Sequence, residues 1–222
     1  MQSYICTLYP LGERKEGFMR RKKIYRMTIL AMFICLECVM MFTPLGYVPI
    51  GVVRATTLHI PVILAGMLLG KKEGLIIGSV FGISSVLMNT LTPTITSFVF
   101  TPFYSLGEFS GNWSSLVIAM VPRMLLGYLS GWIVETFVSK KHRTVFVYGS
   151  IALVMTLVHT IMVLSGIYVF FGEAYAMAKG ITFDALFGLL YSLVVTNGII
   201  EAGLAAVVCS SVAVAVNKVR RI

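Results

Sequence analysis

The chain has 222 residues, of which 58% are hydrophobic and only 12% are charged, and its mean hydropathy is +0.91. A soluble domain typically carries about 25% charged residues, so this composition argues against a soluble enzyme or a nucleic-acid-binding domain. The formal net charge of +9 therefore indicates membrane topology rather than a nucleic-acid partner.

The N-terminal region divides into an extension and the start of a membrane domain. Residues 1–18 have no clear periodicity, and disorder is one expectation for an N-terminal extension over 1–19. The basic run at 19–23 leads directly into an apolar segment, as in a secretory signal, but no A-x-A-like cleavage site follows. We therefore expect a retained first helix and a single membrane domain over 20–222, with Met1 and Met19 both open as the native start.

Six apolar segments follow one another along the chain. A membrane crossing needs about 20 mostly apolar residues. The second segment is short, and a Lys71-Lys72 break separates it from the third. We predict an all-α integral membrane protein, a six-transmembrane-helix bundle with helices over 24–43, 57–70, 74–91, 114–138, 144–171 and 183–216.

The basic residues and the loop lengths predict how this bundle is oriented. Of the 18 Lys and Arg residues, 15 fall in the segments that six crossings place on one face. Only Arg54 and Lys179 fall in the opposite loops, and Arg123 lies within helix 4. Both termini are therefore predicted to be cytoplasmic. The outer loops, 44–56 and 92–113, favour a ligand site that faces outward beneath them, with a passive outer loop as the alternative.

Polar side chains within the predicted spans are candidate ligand-binding groups, because a charge at membrane depth is costly. Arg123 lies about 15 Å into helix 4, and it follows Pro122, which can free a backbone carbonyl. Asn197 and Glu201 are one turn apart on helix 6. The remaining groups are His159, Asn89 and Glu37. Such a set suits a small anionic solute, since a guanidinium offers a planar fork to a carboxylate and amides bond hydroxyls.

Each of these groups also has a structural interpretation. An internal Arg123–Glu201 pair that neutralises itself is the alternative to a ligand-binding arginine. A packing role is the alternative for His159, while packing or a lipid-interface position is favoured for Glu37.

Small residues recur at every fourth position in several of the predicted helices. They are Gly66, Gly70, Gly74, Gly78 and Gly82 in helices 2 and 3, Gly127 and Gly131 in helix 4, and Gly198, Ala202 and Ala206 in helix 6. Such faces let helices approach closely in lipid, so packing within the chain is expected. Helix 1 carries a weaker version, Ala31 and Cys35, which is a candidate docking surface for another membrane protein.

The sequence carries no convincing signature of an enzyme or a metal site. Cys35 and Cys38 form a C-x-x-C, but it lies within an apolar run and is interpreted as small apolar filler. The motifs H-E-x-x-H, G-x-S-x-G and Walker A are absent, and Asp184 is the only aspartate. We therefore expect no catalytic residues, no metal and no cofactor.

Several segments together resemble a known family, the substrate-binding S components of energy-coupling factor (ECF) vitamin transporters, and are most similar to its pantothenate-type members. These segments are FTPLGYVPIG (42–51), ATTLHIPVILAGMLLGKKEGLIIGSVFGISS (55–85), TPTITSFVFTPFYS (92–105), SLVIAMVPRMLLGYLSG (115–131), residues 163–172 and VTNGIIEA (195–202). The resemblance implies a six-helix bundle in the bacterial cytoplasmic membrane. Such a bundle binds a vitamin from outside with high affinity and associates with a transmembrane coupling protein and two ATPase subunits.

The resemblance also suggests roles for particular residues. The family's helix 1 typically carries a small-x-x-x-small docking motif, which Ala31 fits, although Cys35 stands where an alanine is usual. Pantothenate has a carboxylate, an amide and hydroxyls, so Arg123 would hold the carboxylate. The other expected substrate-binding residues are Asn89, Asn197, His159, Glu201 and Trp113.

Other functions stay open from the sequence. Riboflavin, folate or pyridoxine-type substrates are alternatives within the family, and Trp113, Tyr104 and Phe103 could stack on an aromatic ligand. An autonomous channel or ion-coupled permease is an alternative from another class.

Overall fold

The computed structural model describes residues 11–50, 53–139 and 144–219. These residues are mainly helical, as predicted. The helices are α1 (Leu11–Phe42), α2 (His59–Leu69), α3 (Lys71–Leu91), α4 (Trp113–Phe137), α5 (Val145–Ala178), α6 (Phe183–Leu193) and α7 (Ile199–Val219). Helix α1 begins at Leu11, well before the predicted start at 24, and residues 1–10 of the predicted extension lie outside the described residues.

Five helical stretches among the described residues are long and apolar enough to cross a membrane. They are Lys23–Phe42, Lys71–Leu91, Trp113–Phe137, Val145–Ala178 and Phe183–Lys218. Helix α2, the predicted short second span, has 11 residues and is therefore about 16 Å long, less than the hydrocarbon core. Ten of its residues are buried, so this short helix is enclosed by the other helices rather than by lipid.

Glycines allow α2, α3 and α4 to touch backbone to backbone. A Cβ atom added at Gly74 would overlap the carbonyl oxygen of Gly127, and one added at Gly127 would overlap the carbonyl oxygen of Gly74. At Gly66 such an atom would lie 2.5 Å from the same Gly127 oxygen. Between α2 and α3, Gly70 has a φ of +118°, which favours glycine and permits the sharp break. The close approach predicted from the glycine spacing is therefore confirmed.

Two short hairpins occupy the segments predicted as outer loops, and the all-α prediction did not include them. Strand β1 (Tyr47–Ile50) pairs antiparallel with β2 (Val53–Thr56), so that Tyr47 faces Thr56. Strand β3 (Ser105–Leu106) pairs with β4 (Phe109–Ser110). A 3₁₀ turn at Ser97–Val99 precedes the second hairpin.

A capping box starts helix α4 after these strands. Asn112 Oδ1 accepts a hydrogen bond from the backbone N–H of Ser114 (2.8 Å), and Ser115 Oγ accepts one from the N–H of Asn112 (3.0 Å). The hydroxyl of Ser115 also donates to the carbonyl of Phe98 (2.7 Å), which ties the 3₁₀ turn to this helix.

The last two predicted helices are less regular than the sequence suggests. Helix α5 has 34 residues and continues past the predicted end at 171, where Phe171 leaves the helical region with φ −134° and ψ 18°. The predicted continuous helix over 183–216 is interrupted by a π turn at Val194–Gly198, so that α6 and α7 form one candidate span in two parts.

Two apolar cores hold the helices together. The larger core surrounds α2 and includes Val62, Ile63, Ile77 and Tyr148, each with 0% exposure. The smaller core lies against the 3₁₀ turn and contains Phe98, Val99, Ile118, Ile167, Phe171, Tyr175, Ala176, Leu186 and Leu190. It joins the turn to α4, α5 and α6, so the loop after α3 is anchored within the fold.

Ion pairs mark the end of the bundle where α2 meets α3. Arg26 Nη2 lies 2.6 Å from Glu73 Oε1 and also donates to the carbonyl of Leu69 (2.8 Å). Lys71 Nζ lies 3.5 Å from Glu135 Oε2. These contacts fasten α1 and α4 to the α2–α3 junction.

Candidate ligand-binding site

A cavity of about 640 Å³ opens among α3, α4, α5 and α7, at the far end of α3 from its N-terminal Lys71. Its volume falls in the range of small-molecule sites. The described residues that line it are Thr56, Leu58, Phe81, Ser85, Met88, Asn89, Thr92, Thr94, Thr96, Phe100, Arg123, His159, Thr160, Val163, Leu164 and Glu201. Four of the six predicted substrate-binding residues therefore line one cavity: Arg123, Asn89, His159 and Glu201.

Arg123 is oriented by the proline that precedes it. Pro122 has no N–H to donate to the carbonyl of Ile118, four residues earlier in the helix. Arg123 Nη1 donates to that carbonyl instead, at 2.5 Å. The predicted freeing of a backbone carbonyl thus produces an anchor for the guanidinium.

Two aromatic rings complete the surroundings of this guanidinium. The Cζ atom of Arg123 lies 5.5 Å from the ring centroid of Phe81 and 5.4 Å from that of Phe100. Both distances are within the range of cation–π attraction. The residue is only 7% exposed, so a buried cation lies on the cavity wall with its direction fixed.

His159 adds an imidazole to the same wall. Its ring centroid lies 6.1 Å from that of Phe81, so it shares this aromatic neighbour with Arg123. His159 Nδ1 lies 3.3 Å from the carbonyl oxygen of Pro122, a distance at which the ring N–H donates. In the neutral tautomer that this contact selects, Nε2 carries a lone pair and can accept a hydrogen bond.

Glu201 holds the first hairpin against helix α7. Its Oε1 accepts hydrogen bonds from the backbone N–H of Thr56 (2.7 Å) and from Thr56 Oγ1 (2.9 Å). Thr56 is the last residue of β2, so the carboxylate both lines the cavity and fixes the end of the strand.

Asn89 holds the loop that forms the other edge of the cavity. Its Oδ1 accepts from Ser97 Oγ (2.9 Å), and its Nδ2 donates to the carbonyl of Ser85 (2.8 Å). Ser97 Oγ in turn accepts from the N–H of Thr94 (2.8 Å). The predicted amide therefore orders the loop that carries Thr92, Thr94 and Thr96.

The other predicted residues lie outside the cavity wall. Asn197 lies in the π turn, where its Oδ1 accepts from Thr196 Oγ1 (3.2 Å), and Trp113 is 82% exposed at the start of α4. Ala31 and Cys35 are exposed one turn apart on α1. Glu37, for which packing or a lipid-interface position is favoured, has 0% exposure.

Several lining residues were not predicted from the sequence. Phe81 and Phe100 were absent from the predicted set because an aromatic residue in an apolar segment is usually a packing residue. Threonines such as Thr56, Thr92, Thr94 and Thr96 are common in loops, and only the fold shows that they line the cavity beside Glu201 and Asn89.

Among the described residues there is no group of three or more His, Cys, Asp or Glu side chains that could hold a metal ion. The ionic and polar groups of the cavity instead offer one guanidinium, one carboxylate, one imidazole, one amide and several hydroxyls. This arrangement can bind an organic anion that also carries hydrogen-bonding groups.

Sequence comparison defines the class of protein to which this fold and cavity belong. Residues 25–213 match the family described as "ECF transporter, substrate-specific component". The chain therefore belongs to this family, and it is a membrane protein and a component of a transporter. Among curated proteins it is similar to the pantothenic acid transporter PanT of Lactococcus lactis subsp. cremoris. The two are 32% identical over 206 residues, which cover 91% of this chain and 98% of the relative.

Proposed function

We propose that this chain is the high-affinity substrate-binding subunit of an ATP-driven vitamin importer, and that its vitamin is pantothenate. The observation that carries the proposal is the buried guanidinium of Arg123 on the wall of a cavity of about 640 Å³. The similarity to a pantothenic acid transporter over most of both chains agrees with an anionic vitamin.

The chemistry of pantothenate matches the groups on the cavity wall. Arg123 binds the carboxylate, because a guanidinium held by a carbonyl and two rings needs little reorganisation to receive it. His159 and Glu201 face the remaining amide and hydroxyls, while Asn89 holds the loop at the edge of the cavity. Asn197 and Trp113, which do not line the cavity, have no contact with the vitamin in this proposal.

The proposed topology has six membrane crossings with both termini in the cytoplasm of a bacterium. The excess of basic residues on one face supports it. The position of the cavity supports it too, because the lining residues of α3 (Phe81, Ser85, Met88 and Asn89) lie in its second half, far from Lys71. The cavity then faces outward, beneath the 44–56 and 92–113 loops.

The proposed partners are a transmembrane coupling protein and two ATPase subunits. Helix α1 supports a docking partner, because only 11% of its apolar stretch within Lys23–Phe42 is buried against the rest of the chain. Ala31 and Cys35 lie exposed on this helix and present a small surface to which another helix can dock closely.

A binding assay on the purified chain in detergent tests the choice of vitamin. Isothermal titration with pantothenate, riboflavin, folate and pyridoxine is expected to give tight binding for pantothenate alone. Absence of pantothenate binding, or a preference for another of the four, would contradict the proposal.

A transport assay tests the mode of action. Proteoliposomes are prepared that contain the chain with its coupling protein and with ATPases facing the lumen. They should accumulate the vitamin in the lumen only when the lumen also contains ATP. Accumulation by the chain alone would instead support an autonomous permease.

A further inference from the structure

The cavity wall carries a carboxylate as well as a guanidinium, and the two are held by separate anchors. Arg123 is fixed by the carbonyl of Ile118 and two aromatic rings. Glu201 is fixed by Thr56 at the end of β2. An anionic ligand that fills the cavity therefore meets an attractive charge and a repulsive charge at different points of the wall.

The two oxygens of Glu201 have different environments. Both hydrogen bonds from Thr56, at 2.7 and 2.9 Å, end on Oε1. No hydrogen bond from the described residues ends on Oε2, and Glu201 lines the cavity with a half-buried side chain. Oε2 is therefore open to a donor on the ligand, while Oε1 keeps the carboxylate in position.

A fixed carboxylate accepts hydrogen bonds but cannot donate them. His159 adds a second acceptor elsewhere on the wall, near Phe81 and Arg123, because its Nδ1 contact with the carbonyl of Pro122 leaves a lone pair on Nε2. A ligand that places a free hydroxyl against Glu201 satisfies the carboxylate. A phosphate ester at the same hydroxyl would bring about −1.5 to −2 charges against Glu201 and would lose the donor.

We propose that Glu201 is a specificity-determining residue. It accepts a hydrogen bond from a free hydroxyl of the vitamin, and its negative charge excludes the phosphate monoester. The inference rests on the proposed function, in which Arg123 takes the carboxylate of the same molecule. The cavity then admits a monoanion with free hydroxyls and rejects a ligand that is charged at both ends.

The substitution Glu201→Gln separates the contact with Thr56 from the effect of the negative charge on the ligand. Its amide oxygen can still accept from Thr56, whereas its NH₂ group replaces the accepting Oε2 and the negative charge is lost. Glu108→Gln is a matched control, because Glu108 is exposed between β3 and β4 and does not line the cavity.

Titration of the purified full chain with pantothenate and with its phosphate monoester at the primary hydroxyl provides the test. The wild type and Glu108→Gln are expected to bind the ester at least about 100-fold more weakly than the vitamin. Glu201→Gln is expected to bind the vitamin about 10- to 100-fold more weakly than the wild type. It is also expected to reduce the ratio of the dissociation constant of the ester to that of the vitamin at least about tenfold.

Three results would overturn the inference. One is an unchanged ratio in Glu201→Gln, and another is equal binding of vitamin and ester by the wild type. The third needs no variant: a wild-type affinity for the doubly O-methylated vitamin equal to that for the vitamin itself. Failure of the wild type to bind pantothenate at all would instead contradict the proposed function, so the two failures are distinguishable.

Discussion

The position of Arg123 depends on the covalent chemistry of its neighbour. Pro122 lacks the N–H that would bond the Ile118 carbonyl, and the guanidinium uses that carbonyl as an anchor. A cation at membrane depth is costly, and the rings of Phe81 and Phe100 offset part of that cost. This arrangement supports the proposal that Arg123 receives a carboxylate.

The hydrogen bond between Asn89 and Ser97 is expected to affect ligand affinity through the loop rather than through direct contact. Asn89→Ala and Ser97→Ala each remove the bond at 2.9 Å that holds residues 94–97. Each is expected to weaken pantothenate binding about 3- to 10-fold, corresponding to about 0.7–1.4 kcal/mol. The loss of affinity in the double variant should be smaller than the sum of the two single losses, because both variants lose the same bond.

Titration of the three purified variants measures this coupling. Ser192→Ala is the control, because Ser192 is exposed and bonds only within its own helix, to the carbonyl of Leu189. Independent effects that add in the double variant would contradict a shared role in holding the loop.

Much of the site could be predicted from the sequence because ionic and amide groups are rare in apolar helices. That reasoning selects Arg123, Asn89, His159 and Glu201, which line one cavity. It cannot select Phe81, whose type is common in packing. The π turn at Val194–Gly198, which contains Asn197, could not be foreseen from it either, and Asn197 is not among the residues that line the cavity.

At the scale of elements, the backbone contact between α3 and α4 is expected to be intolerant of even one methyl group. In Gly74→Ala the added Cβ would overlap the backbone of Gly127, which cannot rotate away as a side chain can. We expect a loss of about 1–3 kcal/mol in stability and a melting temperature several degrees lower.

Thermal unfolding in detergent, followed by circular dichroism, measures this effect. The matched control is Gly203→Ala, since a Cβ at Gly203 on α7 meets no atom within 4 Å. This control is expected to melt at the wild-type temperature or slightly above it, because alanine favours the helix. Equal melting temperatures for the two variants would contradict a tight α3–α4 contact.

The elements differ in how well their boundaries follow from the sequence. Helix α4 (Trp113–Phe137) agrees within one residue with the prediction over 114–138, because a continuous apolar run defines it. The hairpins could not be predicted, since four-residue and two-residue strands carry too little alternation to be recognised. The π turn within the last apolar run is likewise invisible to hydropathy.

At the scale of the whole molecule, the two ends of the bundle have different tasks. One end holds α1, α3 and α4 together through ion pairs at Glu73 and Glu135. The other end contains the cavity between the larger core around α2 and the smaller core at the 3₁₀ turn. The backbone contacts among α2, α3 and α4 are tight, and the loop beside the cavity is anchored. These features are consistent with the proposed binding of a substrate from one side of the membrane.

The dissociation constant for pantothenate of variants at Arg123 tests this account most directly. Arg123→Ala and Arg123→Gln, purified and titrated in detergent, are expected to bind at least about 100-fold more weakly than the wild type, because the vitamin's carboxylate loses its cation. Lys179→Ala is the control, since Lys179 is an exposed cation outside the cavity. A wild-type dissociation constant in folded Arg123→Gln would contradict the account.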